Sequence, residues 1–496
     1  MSDPRLALSA DHAGDSAARV LEALDGTRVV VRLAPGLAEP AAAAGLALVS
    51  MVGRLLPHIV VDGDAPVGPN PWAATSVTDG LDRLAATRPA PTRPAARNLV
   101  VAVGPGIDHA DLWIGGEEWT ARVGRTPQSL DPAGLGLGLQ AAATLAAAEV
   151  AKQVLGPLGM AQVPLPAELV WNLLDYQRRP AGPVERRRLR PVSLAVLGAG
   201  SVGSSVVGVL ACLPEMTGRV VVVDDDAFDP ARNPYRYPAS TGGERGPKAI
   251  WLAGVLEQLG WRAGHLEGTV AKWVAVSPTP GFNGIAVASV DTPEGRLQVA
   301  DVLAETTLSI GVDGLALHLQ REHLGDGFAC PFCDFVDLDP PITQAEALAQ
   351  QTGLPVERVL ALALGGRLAD VDVAAAVGAG RVNPERAREL VGRRLADLIR
   401  RAYAEATIQT PEAAPTAVSA PYVSWMGGVL AAAEIAKAAL GLPMVERRVD
   451  LDLTGLPPGF VLARPADRSG RCVCASPIRR RWMARLYPPA RGNGRV

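Results

Sequence analysis

Residues 193–226 read SLAVLGAGSVGSSVVGVLACLPEMTGRVVVVDDD, and this stretch decides the fold. Leu194–Leu197 is a short apolar run that reads as a buried strand. Gly198, Gly200 and Gly203 follow with G-x-G-x-x-G spacing. An apolar helix pattern over 202–213 comes next, and then a second apolar strand that ends at Asp224. Glycines at such a strand-to-helix turn allow a tight bend and a close backbone approach to phosphate. The helix N-terminus supplies N–H groups and a positive dipole. An acid at the end of the second strand is placed to hydrogen-bond a ribose hydroxyl. Strand, glycines, helix, strand and acid in this order predict a Rossmann-like nucleotide site. Alone, the pattern equally suits a NAD-dependent oxidoreductase.

The residues downstream point elsewhere. After Asp224-Asp225-Asp226 come Asn233, Arg236 and Lys248, the lysine in the turn GERGPKA. Hydride transfer has no use for such a cluster. Cleavage between the α- and β-phosphates of a triphosphate does, because cations must face the developing charge. A further apolar strand over 285–290 leads to Asp291 in SVDTPEGR. A carboxylate there, in the crevice where open α/β sheets bind ligands, suits Mg²⁺.

The stretch also has a weaker copy upstream. Residues 58–72, HIVVDGDAPVGPNPW, parallel 219–235, RVVVVDDDAFDPARNPY, and AAAEVAK at 146–152 parallels AAAEIAK at 431–437. Each copy follows a strand and a long apolar helix pattern, 27–33 with 38–56 in the first. Two halves of one α/β architecture are expected: 1–180 and 190–476, divided by PAGPVERRRLRP at 180–191. The first half has LAPGLAE where the second has the glycine turn, Gly104 where the second has Asp291, and no lysine before Lys152. Residues 342–405 read as a helical insertion confined to the second half, and 477–496 as a basic tail.

The series GAGSVG, VVDDD, NPYR, GPKA, SVDTPEGR, CPFC and APYVSWMGGVLAAAEIAK resembles the ThiF/MoeB and ubiquitin-activating enzyme superfamily. The likeness runs over about 190–476 apart from the insertion. It implies ATP-dependent adenylation, by an adenylyltransferase, of the C-terminal carboxylate of a small ubiquitin-like or sulfur-carrier-like protein, or of a peptide. By that resemblance Gly198, Gly200 and Gly203 meet the nucleotide and Asp224 or Asp226 the ribose. Asn233, Arg236 and Lys248 contact the phosphates, and Asp291 the Mg²⁺. The segment from Asp224 to Asn233 is one residue longer than usual, which leaves the division of labour among 224–226 open. The first half resembles the inactive half of ubiquitin-activating enzymes, so the fold expected is an intramolecular pseudo-dimer, able to pair further as a homodimer. Arg5 or Arg19 is then a candidate for an arginine offered to the triphosphate. A leader-peptide-binding scaffold in a peptide natural-product pathway is the rival without turnover.

Four of the five cysteines lie in two close pairs, Cys330-Pro-Phe-Cys333 and Cys472-Val-Cys474. Such a set suits a tetrahedral structural Zn²⁺ site that cross-links distant segments. A redox CxxC or unrelated buried thiols are the alternatives, and the CxC spacing is tighter than the family's usual CxxC. Cys212 sits in an apolar helix pattern, where a thiol is packing. No thiol therefore remains for a thioester, and the acyl group is expected to pass directly to a sulfur or amine acceptor. The six histidines show no metal spacing. Asp313 is a loop acid that might line a groove for an incoming tail. The arginine groups at 178–190 and 478–481 read as solvated faces, with a docking surface for an acidic partner as the alternative.

The 496 residues include 51 acidic and 48 basic side chains, a net charge of −3. That balance gives no support for a nucleic-acid coat or a polybasic membrane surface. The N-terminus, MSDPRLALSADHAGD, has neither the basic nor the apolar region of a secretory signal. A cytoplasmic protein without a membrane span is expected. Only four lysines occur, Lys152, Lys248, Lys272 and Lys437, so each one asks for an explanation.

Overall fold

The computed structural model describes residues 17–131, 133–158, 162–185, 188–213, 215–230, 233–322, 328–336, 420–488 and most of 345–398. Two compact units emerge. One comprises His12–Phe335 with Ser419–Val496, the other Val336–Val418 with Met1–Asp11.

The larger unit holds two sheets. The first contains β1 (Thr27–Leu33), β2 (His58–Asp62), β3 (Arg97–Val103), β4 (Leu112–Gly116), β5 (Thr120–Gly124) and β6 (Glu168–Asn172), in the order β2-β1-β3-β4-β5-β6. The second contains β7 (Val192–Leu197), β8 (Gly218–Asp224), β9 (Arg262–Glu267), β10 (Phe282–Ala288), β11 (Ala304–Asp313), β12 (Ala316–Arg321) and β13 (Arg448–Asp452), in the order β13-β12-β11-β10-β7-β8-β9. Apart from β9 the two orders correspond strand for strand. The strand directions correspond as well: three parallel pairings are followed by two antiparallel ones in each sheet. The repeat seen in the sequence is a repeat of topology.

Four helices join the sheets: α1 (Glu39–Gly53), α2 (Leu137–Leu155), α3 (Ser201–Ala211) and α6 (Pro421–Leu440). The intervening labels α4 (Lys248–Glu257) and α5 (Pro293–Val299) belong to the second half, as does α7 (Pro477–Leu486). Nearly every residue of α2 and α6 is buried. A helix apolar on all sides needs partners on all sides. α6 finds them in α3 of its own half and in α2 and α1 of the other. Length and composition alone would also let α6 cross a membrane, but 94% of its most apolar window is buried here. At the centre Trp72 stacks on Trp425 with centroids 5.7 Å apart, and Trp425 Nε1 donates to Gln140 Oε1 at 3.1 Å.

The repeated Glu-x-x-Lys is part of this packing. Lys152 pairs with Glu149 in α2, and Lys437 with Glu434 in α6. Glu434 is fully buried and accepts from Lys437 Nζ at 2.5 Å, Tyr176 Oη at 2.5 Å and the Val445 amide at 2.6 Å. Burial lowers the pKa of Lys437 despite Glu434 beside it. Removing one partner of a buried pair leaves the other charge uncompensated. Glu434→Gln is therefore expected to cost about 3 kcal/mol or more, read as a lower urea midpoint.

The two halves differ in two of their connections. From β8 to β10 the chain makes α4, β9 and the helix Val270–Val276, whereas from β2 to β3 the longest helix is Val77–Arg83. From β10 to β11 it makes α5, whereas residues 104–111 join β3 to β4 without a helix.

The smaller unit is helical. Val356–Ala363 and Asp370–Gly378 pack around Leu354, Val359, Leu362, Val373, Leu390 and Leu398. Arg358 makes a two-pronged bond to Asp372, both contacts 2.7 Å. The 342–405 insertion expected from the sequence falls within this unit, and its residues 342–344 and 399–405 lie outside the described residues.

Candidate active site

The turn after β7 shows three glycines with three different reasons. Gly198 has φ +97°, and a Cβ on it would lie 2.9 Å from the Val290 amide nitrogen. A Cβ on Gly203 would lie 1.9 Å from the Gly198 carbonyl oxygen, so this glycine lets α3 approach the turn. Gly200, the residue capping α3, faces open space: nothing lies within 4 Å of where its Cβ would be. That is the arrangement a phosphate needs at a helix N-terminus. Gly203→Ala is expected to destabilise the fold by a few kcal/mol through this clash. Gly200→Val is expected to leave the unfolding midpoint near wild type and to weaken nucleotide binding, a contrast that paired unfolding and ATP-binding curves will check.

The turn is braced from both sides. Asp224 Oδ2 accepts from the Ala199 amide at 2.6 Å and its Oδ1 from the Asp226 amide at 2.9 Å. Burial raises the pKa of Asp224 above the usual carboxylate value, against the pull of those two amides. Ser289, which sequence reasoning did not single out, donates from Oγ to the Gly198 carbonyl at 2.8 Å. This turning-back ends β10 at Ala288, short of the strand over 285–290 that was expected, and leaves Asp291 exposed at the head of the loop to α5.

Lys248 is the first residue of α4 and is buried, with its ammonium on Asp226 Oδ2 at 2.6 Å and 5.9 Å from the Tyr237 ring centroid. Burial lowers its pKa, but Tyr237, Asp226 and Asp224 outweigh this and hold it above the ordinary value. Arg236 ends the short helix Asn233–Arg236, and its Nε is buried without a hydrogen-bond partner. A buried guanidinium N–H without a partner suits an anion, and the charges of Arg236, Lys248 and Asp224 all act on Tyr237, with Asp224 bonded to the amide of Ala199 in the glycine turn. Tyr237 stacks on Trp251 with centroids 6.3 Å apart and meets Phe228 edge-on.

Asn233 has a local structural role of its own. Its Oδ1 accepts from the Asp229 amide at 2.6 Å, bracing the loop. Asn70, its counterpart in the first half, likewise accepts from Trp72 and Ala74 amides at 3.1 and 3.0 Å. The Oδ1 brace is thus common to the two halves, whereas counterparts of Arg236 and Lys248 are not. In the first half the space is filled: Leu37 and Ala34 side chains lie 2.7 and 3.0 Å from where a Cβ on Gly104 would be. Arg5 lies outside the described residues, and Arg19 is exposed on the helix Ala17–Asp25.

A cleft of about 640 Å³ opens from Asp291 along the ends of β11, β12 and β13. Asp313, Gly311, His318, Arg448 and Asp450 are among its walls; Asp313, read from the sequence as a loop acid, is the last residue of β11. Burial pushes the pKa of His318 down to about 3, with Arg448 and Arg296 adding to it, so the imidazole presents a neutral wall.

The four paired cysteines converge. Their sulfurs lie within 4.8 Å of one another, with Sγ–Sγ separations of 3.6, 3.6, 3.7 and 3.8 Å among four of the pairs. Four thiolates about 2.3 Å from a tetrahedral Zn²⁺ would be about 3.8 Å apart. The four separations given match that spacing. Cys212 is buried in isolation and its thiol is pushed up to about 12. One arginine read as solvated is not: Arg479 of α7 is buried, donating to the Ala300 carbonyl and to Glu322 Oε1 at 2.9 Å.

No protein-family model matches the chain. An uncharacterized protein of Sinorhizobium fredii, y4jF, is 27% identical over 401 residues, spanning 75% of this chain and 74% of that one. Among solved structures, MccB of Escherichia coli is 13% identical with a TM-score of 0.33, over 58% of this chain and 65% of that chain. The chain thus spans just under two thirds of that protein. MccB with ATP is 12% identical with a TM-score of 0.32, over 58% and 68%. MccB, described as a microcin C7 biosynthetic enzyme, in complex with N-formylated MccA is 14% identical with a TM-score of 0.33, over 58% and 69%. The chain resembles the ThiF/MoeB superfamily. The motifs behind that resemblance, from the glycine turn through Asp224 to Asp291, gather at one end of β7, β8 and β10.

Proposed function

We propose that the second half binds MgATP and adenylates the C-terminal carboxylate of a small protein or peptide. One observation carries the reading: the acid that braces the open glycine turn, Asp224, is linked through Asp226 to the buried Lys248, and the charge of Arg236, whose buried Nε–H is unpaired, acts on the same Tyr237 as that lysine. A dinucleotide site explains the turn and Asp224 but leaves both cations idle.

Arg236 and Lys248 stabilise negative charge as the carboxylate oxygen attacks the α-phosphorus and the bond to the β-phosphate bridging oxygen breaks. Pyrophosphate leaves and an acyl-phosphate anhydride remains. The nucleophile is already ionised, so no general base is needed, and the protein acts by positioning and charge. Asp291, exposed beside the turn, is the residue to hold Mg²⁺, which supplies further charge neutralisation. The cleft beside Asp291 is the route for an extended chain end. The resemblance favours a ubiquitin-like or sulfur-carrier-like partner, with a short peptide as the other member of the same chemical class. With four cysteines clustered and Cys212 inert, transfer proceeds to an acceptor outside this chain. Isotope exchange between ATP and pyrophosphate tests this with small glycine-tailed proteins and peptides encoded nearby. Exchange that requires one of them and disappears in Asp291→Ala supports the proposal. ATP binding without exchange for any partner supports a binding scaffold instead.

A further inference from the structure

The first half has lost its own site, yet one of its side chains is built into the other. Arg54 caps the C-terminus of α1 and is fully buried. Its Nε donates to the Pro234 carbonyl at 2.8 Å, and its Nη2 to the carbonyls of Tyr237 at 2.8 Å and Ser240 at 2.5 Å. Its Nη1 donates to the carbonyl and hydroxyl of Ser50, both at 2.6 Å, within α1. Two more first-half donors hold the same loop: Ser50 Oγ and Trp72 Nε1 reach the Pro238 carbonyl at 2.6 and 2.8 Å. Four carbonyls between 234 and 240 are thus fixed by three side chains from the other half. That loop carries Arg236 and Tyr237. Glu244 closes its far end, accepting from the Thr241 and Gly242 amides at 2.7 and 2.9 Å, and its charge lies near enough to favour the Arg54 guanidinium.

A planar guanidinium bonded to three loop carbonyls sets the loop's conformation more tightly than packing alone. The carbonyls it satisfies are buried, so every conformation that moves them away is costly. Arg236 itself has no intramolecular bond at Nε to fix its direction. Its aim depends on the loop.

We infer that Arg54 is a positioning residue for the triphosphate: it holds the 234–240 loop so that Arg236 faces the nucleotide, and this is what the first half contributes to the reaction. The inference rests on the ATP reading of the site. It differs from an arginine offered directly to the phosphates, since all five Arg54 donors are taken by protein oxygens.

Calorimetric titration of the full-length protein with MgATP separates this role from a merely structural one. Arg54→Lys, which cannot reach three carbonyls at once, is expected to weaken ATP binding about tenfold. Tyr176→Phe, which loosens the contact between the halves at Glu434 instead, is expected to leave ATP affinity unchanged. In an Arg236→Ala background, adding Arg54→Lys is expected to cause no further loss, because the two act through one contact. Should Arg54→Lys accumulate poorly, Ser50→Ala removes one hold on Pro238 and is expected to shift affinity the same way by less. Unchanged affinity in Arg54→Lys, or losses that add in the double variant, would overturn the inference. An Arg236→Ala protein that binds ATP like wild type would overturn the reading of the site beneath it.

Discussion

Lys248→Ala is expected to lower partner-dependent ATP–pyrophosphate exchange by about 10²–10³-fold, corresponding to about 3–4 kcal/mol of transition-state stabilisation. The magnitude follows from where the charge sits. The ammonium is buried at the start of α4, beside the turn that ends at Gly200, so its field is weakly screened. Its present partner, Asp226, is largely exposed, and a pair with one solvated member adds no more than about 1 kcal/mol to folding. Alanine at the first turn also suits a helix. The variant should therefore unfold near the wild-type midpoint while losing exchange, which separates chemistry from stability. Lys248→Arg is expected to recover little, because a planar fork does not occupy the space of a compact ammonium. Exchange by Lys248→Ala within about threefold of wild type, less than 1 kcal/mol, would remove this lysine from the mechanism.

The second large effect concerns the cysteine cluster. One Zn²⁺ per chain is expected on elemental analysis, and Co²⁺ in its place should give the absorption of a tetrahedral thiolate site. Structural zinc binds with an apparent free energy of about 10–16 kcal/mol, part of which is spent on ordering the ligands. Here those ligands join the segment after β12 to the segment before α7. α7 is also held by Arg479 on Ala300 and Glu322, and just beyond it Tyr487 Oη donates to the Leu303 carbonyl at 2.7 Å. Cys472→Ser is expected to lose the metal and expose the chain after about residue 465 to protease, while the two sheets stay folded. A stoichiometric metal retained in Cys472→Ser, or a disulfide between any of these cysteines in the purified protein, would contradict the assignment.

The sequence carried those parts of the fold that arise from local pattern. β1 spans residues 27–33 as read, and the glycine turn and the acid ending β8 fall where the strand-turn-helix logic put them. The Glu-x-x-Lys repeat was visible as letters, but its meaning was not. Only packing shows that both lysines are interior cations paired within α2 and α6, leaving Lys248 to the site and Lys272 on the Glu267 carbonyl at 2.9 Å. Asn233 looked like a ligand because it stands between Asp224 and Arg236. It also braces a loop through Oδ1, as its twin Asn70 does in the first half.

Arg54 was illegible for a plainer reason. Its partners lie about 180 residues away, and nothing near it in sequence marks the position. Arg479 was misread because a run of three arginines looks solvated until one of them meets a buried glutamate. Periodicity and turn chemistry are local, while the contacts that aim a side chain across two halves are not.

The central claim is that this chain has one nucleotide site, in its second half, made for a triphosphate. Titration calorimetry with ATP and Mg²⁺, and with NAD in parallel, measures it directly. The account predicts one ATP per chain, binding that is weakened but measurable in Arg236→Ala and unchanged on substitution of Gly36, the glycine of LAPGLAE in the first half, and no displacement by NAD. Two ATP per chain, or NAD bound in preference to ATP, would contradict it.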